Sequence, residues 1–175
     1  MVKFVMHKKM KWVPNASELD PQPPVYLHDW LTKPYVVSEA LRKHYQLLTV
    51  KVISQSWEAD LWIREVFLQG DGNSLTYGQV RVPRATFIAN QAKFESLGSR
   101  CIGETLLYGQ KDVTRSGFEF TVIDKSMPLF ARVSKHFSSS HATDYFWARQ
   151  SIFTLIDSPL TVLEIFLPTL KPYEA

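Results

Sequence analysis

The chain is poor in cysteine, with Cys101 alone among its 175 residues. One cysteine excludes an intrachain disulfide and a thiolate metal cluster. No segment approaches the roughly 20 consecutive apolar residues that a membrane-spanning helix needs. The N-terminus also lacks the apolar core of a secretory signal. We therefore expect a cytoplasmic protein with no stable membrane insertion.

A strong charge of one sign is also lacking. The formal net charge is +3, and the basic residues are spread along the chain. Nucleic-acid binding would call for a basic stripe with a matching motif, so we expect no nucleic-acid partner. The five histidines (7, 28, 44, 136 and 141) show no metal-ligand spacing. The hydrophobic share of 45% and charged share of 21% predict one globular domain over residues 1–175, and we expect a monomer.

Two charges stand out because of where they lie. Arg64 interrupts the apolar run 61–68, and Glu164 interrupts the apolar run 160–167. Runs that are apolar on both alternating faces are typical of strands covered on both sides. Burying an unpaired charge costs several kcal/mol. Arg64 and Glu164 therefore form a buried ion pair with each other, or they bind a small anionic molecule in an enclosed site.

Hairpin patterns dominate the rest of the chain. Strands are predicted at 47–53, 61–69, 75–82, 118–123, 145–156 and 160–167, and helices at 36–46, 85–97 and 102–108. Asp71-Gly72 is a turn dipeptide between two of the strands. Residues 1–28 are predicted to be an irregular lead-in, and 138–140 an exposed loop. The pattern favours an α+β fold, an antiparallel sheet with helices packed on it.

Four segments, in this order, resemble one enzyme family. They are WIREVFL at 62–68 (followed by Asp71-Gly72 and Pro83), LGSRCIG at 97–103, WARQS at 147–151 and PLTVLEIFLP at 159–168. Together they are similar to the chorismate pyruvate-lyases, which make 4-hydroxybenzoate for ubiquinone. The resemblance spans roughly residues 29–168.

The resemblance implies a single domain with a six-stranded antiparallel sheet, helices over one face, and a ligand site closed from solvent. It also implies conversion of chorismate to 4-hydroxybenzoate and pyruvate with no metal or cofactor. Arg64 would bind the carboxylate of the ring, and Glu164 would contact the hydroxyl at its far end. Ile102 would offer backbone groups to the same hydroxyl, and Val37 would line the pocket.

The sequence departs from the family at two places. Many members carry an arginine where this chain has Gln79, which puts the grip on the second carboxylate of chorismate in question. Arg81 lies two residues further on the same strand face, about 7 Å away, and is the candidate substitute. Residues 125–143 look like an insertion.

Two other functions remain open from the sequence. One is a non-catalytic module that binds a small aromatic acid, and Gln79 is the feature that favours it. The other is an enzyme acting on a related enolpyruvyl cyclohexadiene, which would keep Arg64 and change the far end of the pocket.

Overall fold

A seven-stranded antiparallel sheet forms the centre of the molecule, and helices pack around it. The computed structural model describes residues 9–137 and 142–174. The helices are α1 (Val25–Thr32), α2 (Val37–His44), α3 (Arg84–Ala89), α4 (Gln91–Glu95) and α5 (Pro128–Ser134). The strands are β1 (Leu48–Glu58), β2 (Leu61–Gly70), β3 (Asn73–Pro83), β4 (Val113–Arg115), β5 (Glu119–Asp124), β6 (Tyr145–Leu155) and β7 (Ser158–Phe166).

The strand order is β1-β2-β3-β7-β6-β4, and β5 also pairs with β6. The predicted hairpin is confirmed: β2 and β3 pair in antiparallel register. Asp71 and Gly72 between them have φ values of 51° and 82°, as a two-residue hairpin turn requires. The α+β antiparallel fold predicted from the sequence is therefore confirmed, with one strand more than the six that the resemblance implied.

One face of the sheet is covered by α1 to α4. Leu27, Trp30 and Leu31 of α1 pack with Leu41 of α2 and with sheet residues such as Phe166. Further along the sheet, α4 and the following loop pack on β2, β3 and β7 through Phe94 and Leu97. A π-helical turn at Gly103–Leu107 belongs to the same cover.

The other face is covered in part by α5, which lies in the segment 125–143. Phe130 and Val133 of α5 pack against Phe67, Phe146 and other residues of the sheet. The helices therefore lie on both faces rather than on one. Residues 138–140, predicted to be an exposed loop, lie outside the described residues.

Two local predictions need correction. The lead-in is not irregular throughout, because α1 begins at Val25 and buries apolar residues at helical spacing. The helix predicted over 85–97 is two helices separated at Asn90, whose φ is −129°. The Asn90 side chain donates a hydrogen bond to the carbonyl of Thr86 at 3.1 Å. Asparagine competes in this way for backbone groups, and this explains the interruption.

Candidate active site

A cavity lies between the covered face of the sheet and two covering segments. The sheet contributes residues of β2, β3, β6 and β7, and the cover contributes residues 36–38 and 101–103 with Leu107 and Tyr108. About 60 Å³ of the cavity is accessible to the centre of a water molecule, several times what one bound water needs. Among the described residues, Arg64 and Glu164 are the charged side chains that line it.

Arg64 is anchored by backbone carbonyls rather than by an acid. Its side chain is buried, and Nη2 donates to the carbonyls of Gly98 at 3.0 Å and Arg100 at 2.9 Å. Within the described part of the chain, its Nε is buried without a hydrogen-bond partner. Burial lowers the pKa of the guanidinium from its usual value, but an arginine remains charged at neutral pH. Arg64 thus presents a buried cation with spare donors to the cavity.

Glu164 is paired with a different arginine. Nε of Arg149 donates to Oε2 of Glu164 at 2.6 Å, and the two residues are direct register partners on β6 and β7. The alternative that Arg64 and Glu164 neutralise each other is therefore wrong. Since Arg149 supplies the counter-charge for Glu164, Arg64 is left without an acidic partner among the described residues.

Gly78 separates the two charged residues across the sheet. It pairs with Val66 of β2 on one side and with Glu164 of β7 on the other. Arg64 lies two residues from Val66 along β2 and therefore on the same face of the sheet. A Cβ at position 78 would meet Val66 Cγ2 at 3.5 Å, an ordinary contact, so a larger side chain there would occupy the cavity. The missing side chain helps to create the space between Arg64 and Glu164.

The cover brings in two further residues predicted for the site. Val37, the first residue of α2, is buried and lines the cavity. Ile102, directly before the π-helical turn, does the same. A Cβ at Gly103 would lie 3.2 Å from the Tyr108 ring, so glycine allows this ring to pack closely. Burial raises the pKa of the Tyr108 hydroxyl, and the negative charge of Glu164 adds to the effect. Tyr108 therefore remains protonated at neutral pH.

Gln79 and Arg81 do not line the cavity. Both point to the opposite face of β3, where Arg81 Nε donates to Gln79 Oε1 at 2.6 Å. The prediction that Gln79 or Arg81 contacts the ligand in the same pocket as Arg64 is therefore not supported by their position. Strand alternation is the reason, because positions 79 and 81 face away from Gly78 and Val80.

On that opposite face Gln79 donates a hydrogen bond to the buried carboxylate of Glu65. Glu65 accepts hydrogen bonds from Tyr77 at 2.9 Å, Gln79 at 3.0 Å, Ser54 at 3.0 Å, and Arg132 of α5. Burial alone would raise the pKa of Glu65, but these hydrogen bonds, led by that from Arg132, outweigh burial and lower it. Arg132 supplies the positive charge, so an arginine at position 79 is not needed to neutralise Glu65.

Sequence reasoning missed the roles of Arg149 and Gly78. Arg149 interrupts the largely apolar strand 145–155, the same signal that singled out Arg64, and it lies inside one of the four family segments. No pattern in the sequence marked Gly78 as part of the site.

Metal-ligand clusters and membrane-spanning helices are both absent from the described residues. No group of three or more His, Cys, Asp or Glu side chains is arranged to hold a metal ion there. No helix in the described ranges is long and apolar enough to cross a membrane.

The fold and the cavity fit the family that the four segments indicated. A sequence model of the chorismate lyase family matches residues 6–174, and the chain belongs to this family. The predicted family membership is therefore confirmed over nearly the whole chain.

Curated proteins similar to this chain carry the same name. A probable chorismate pyruvate-lyase of Shewanella loihica is 30% identical over 179 residues, covering 94% of this chain and 91% of its own. A probable chorismate pyruvate-lyase of Thiobacillus denitrificans is 28% identical, covering 91% of this chain and 89% of its own. The chorismate pyruvate-lyase of Erwinia tasmaniensis is 25% identical, with 94% and 89% covered.

Proposed function

We propose that the protein is a chorismate pyruvate-lyase, which converts chorismate to 4-hydroxybenzoate and pyruvate in the ubiquinone pathway. Its family membership supports this proposal. The observation that carries it is a cavity lined by a buried cation at Arg64, which has no acidic partner among the described residues, and by a carboxylate at Glu164. A cyclohexadiene with a carboxylate at one end and a hydroxyl at the other has the matching polarity.

The spacing across the sheet supports this orientation of the substrate. Arg64 and Glu164 are two strand spacings apart and offset by one same-face step, so their Cα atoms are separated by about 12 Å. The side chains of Arg64 and Glu164 both line the cavity, and this separation leaves room for a single ring between them. Gly78, which lies between them in the sheet, adds no side chain to that space.

The reaction is a redox-neutral elimination. The ring C–O bond to the enolpyruvyl group breaks, a ring hydrogen leaves as a proton, and the released enolpyruvate takes up a proton to become pyruvate. We assign Arg64 to the ring carboxylate, because the two carbonyls accept only from Nη2 and leave N–H donors on Nε and Nη1 for an anion. We assign Glu164 to the ring hydroxyl, which would donate a hydrogen bond to the carboxylate. Fixed hydrogen-bond donors and the exclusion of water would then stabilise the charge that develops in the transition state of the elimination.

Ile102 and Val37 complete the proposed pocket. Ile102 would present backbone groups near the hydroxyl end, and Val37 would contact the ring. A non-catalytic aromatic-acid-binding module was favoured only by Gln79. Since Gln79 lies on the far face, it no longer counts against catalysis.

The experiment is incubation of the purified protein with chorismate, with pyruvate and 4-hydroxybenzoate measured separately. The proposal expects both products in equal amounts. Tight binding of 4-hydroxybenzoate without turnover would instead favour a binding module. Pyruvate accompanied by a different ring product would move the assignment to a related enolpyruvyl cyclohexadiene.

A further inference from the structure

Arg149 is held rigidly by groups other than a ligand. It is fully buried on β6, and Nη1 donates to the Lys33 carbonyl at 2.8 Å, just past the end of α1. Nη1 also lies 3.4 Å from the Leu31 carbonyl. Carbonyls at a helix C-terminus carry partial negative charge and favour a cation. The backbone around the end of α1 therefore fixes the Arg149 guanidinium in place.

Aromatic rings enclose the same guanidinium. Its central carbon lies 4.1 Å from the Phe118 ring centre, 5.0 Å from that of Tyr35 and 5.3 Å from that of Phe166. Cations are attracted to ring faces at such distances. Within the described residues, Nη2 is buried without a hydrogen-bond partner. A buried guanidinium is costly, and its one ion pair among the described residues is with Glu164.

We propose that Arg149 is a positioning residue that orients the Glu164 carboxylate toward the hydroxyl end of the ligand. This inference rests on the proposed function. Arg149 engages Oε2 of Glu164 and leaves Oε1 for the ligand. Since Arg149 itself is not among the residues lining the cavity, it acts on the ligand only through Glu164.

Ligands with and without the hydroxyl separate this role from a structural one. 4-Hydroxybenzoate and benzoate share the ring and the carboxylate, and differ only in the group assigned to Glu164. Loss of a charge-assisted hydrogen bond weakens binding by about tenfold or more. We therefore expect the wild-type protein to prefer 4-hydroxybenzoate by about tenfold or more, as measured by calorimetry.

The test compares Arg149→Met with Arg149→Lys in the otherwise intact protein. Arg149→Met should reduce the preference for 4-hydroxybenzoate by about tenfold and change the benzoate Kd less than about threefold. Arg149→Lys, which retains the charge, should restore part of the preference. In a Glu164→Gln background, Arg149→Met should have little further effect on the preference.

Two results for the Arg149 variants would contradict the inference. Equal weakening of both ligands by Arg149→Met would make Arg149 merely structural and overturn the inference. So would a preference unchanged in both Arg149 variants. If Arg149→Met does not fold, as judged by circular dichroism, the comparison uses Arg149→Lys alone, which should then lower the preference without weakening benzoate. A wild-type protein that does not release pyruvate from chorismate would refute the proposed function, whatever the Arg149 variants do.

Discussion

The two faces of the sheet handle a buried charge in opposite ways. Arg64 and Glu65 are neighbours in β2, and they point to opposite faces. Arg64 has two carbonyl acceptors and a buried Nε with no partner among the described residues. Glu65 accepts from Ser54, Tyr77, Gln79 and Arg132.

The difference separates a face where a partly satisfied cation lines a cavity from a face where the buried charge is fully hydrogen-bonded. A fully satisfied buried carboxylate gives a ligand nothing to bind, and its hydrogen bonds serve stability. A partly satisfied guanidinium next to a cavity carries a cost that a bound anion would offset. Under the proposed function, successive residues of β2 would therefore serve binding (Arg64) and folding (Glu65).

The largest expected effect is on catalysis, from Arg64→Met. Two charge-assisted hydrogen bonds at about 2 kcal/mol each correspond to a fall in kcat/KM of roughly 1,000-fold. The measurement is steady-state kinetics with chorismate.

Arg81→Met is the matched control for that variant, because Arg81 lies on β3 but faces the other side of the sheet. Its kcat/KM should stay within about twofold of the wild-type value. A comparable loss of kcat/KM in both variants would show that the two faces of the sheet do not differ in their effect on catalysis.

The next effect is on stability, from Glu65→Ala. Removing one partner of a buried ion pair costs about 3–5 kcal/mol. We expect the lower end, because Arg132 is 46% exposed and can be hydrated. Tyr77 and Gln79 would still lose their acceptor. Urea unfolding should show the loss, while kcat per folded molecule stays near that of the wild type. A large fall in kcat with unchanged stability would contradict the structural role.

Gly78 offers a test of the cavity itself. Gly78→Leu would place a branched side chain between Arg64 and Glu164, at an overpacking cost of about 1–3 kcal/mol. If a cost in the middle of this range falls on the bound substrate, kcat/KM with chorismate should fall by about 30-fold. Gly78→Ala is the control, because its Cβ makes only an ordinary contact with Val66, so it should retain most activity. Full activity of Gly78→Leu would place the reaction elsewhere.

The Glu65 network also predicts a dependence of stability on pH. The native pKa of Glu65 is lowered, so its contribution is fully present above the unfolded-state value of about 4.3. The contribution is lost as pH falls through the lower native pKa. The stability difference between wild type and Glu65→Gln should therefore shrink below about pH 4, as measured by urea unfolding. A difference that grows on acidification would contradict the sign.

The smallest effect concerns the cover of the cavity. Arg42 of α2 pairs with Glu104 of the π-helical turn through bonds of 3.1 and 3.2 Å. Since partly exposed ion pairs contribute about 1 kcal/mol or less, Arg42→Ala should speed 4-hydroxybenzoate release less than about fivefold, in stopped-flow measurements. Arg84→Ala removes the exposed pair with Asp60 and should not change release. Equal effects of the two variants would exclude a local role for the Arg42–Glu104 pair.

Much of the fold was predictable because its signals are local. The β2–β3 hairpin follows from alternating apolar strands around Asp71-Gly72, and its observed bounds differ from the prediction by one or two residues. The helix α1 was missed, although Leu27, Trp30 and Leu31 have helical spacing, because the prolines before it suggested an irregular segment. The break at Asn90 depends on a side-chain hydrogen bond that no apolar pattern records.

The sequence by itself determined the family, the antiparallel sheet, and the two charges in apolar runs that mark the candidate site. Only the tertiary structure decided that Arg149, not Arg64, neutralises Glu164, and that Gln79 belongs to the Glu65 network. The physical reason is that pairing of buried charges depends on register between strands and on which helix covers each face. Those relations join residues far apart in the chain, as in the contact between Glu65 and Arg132.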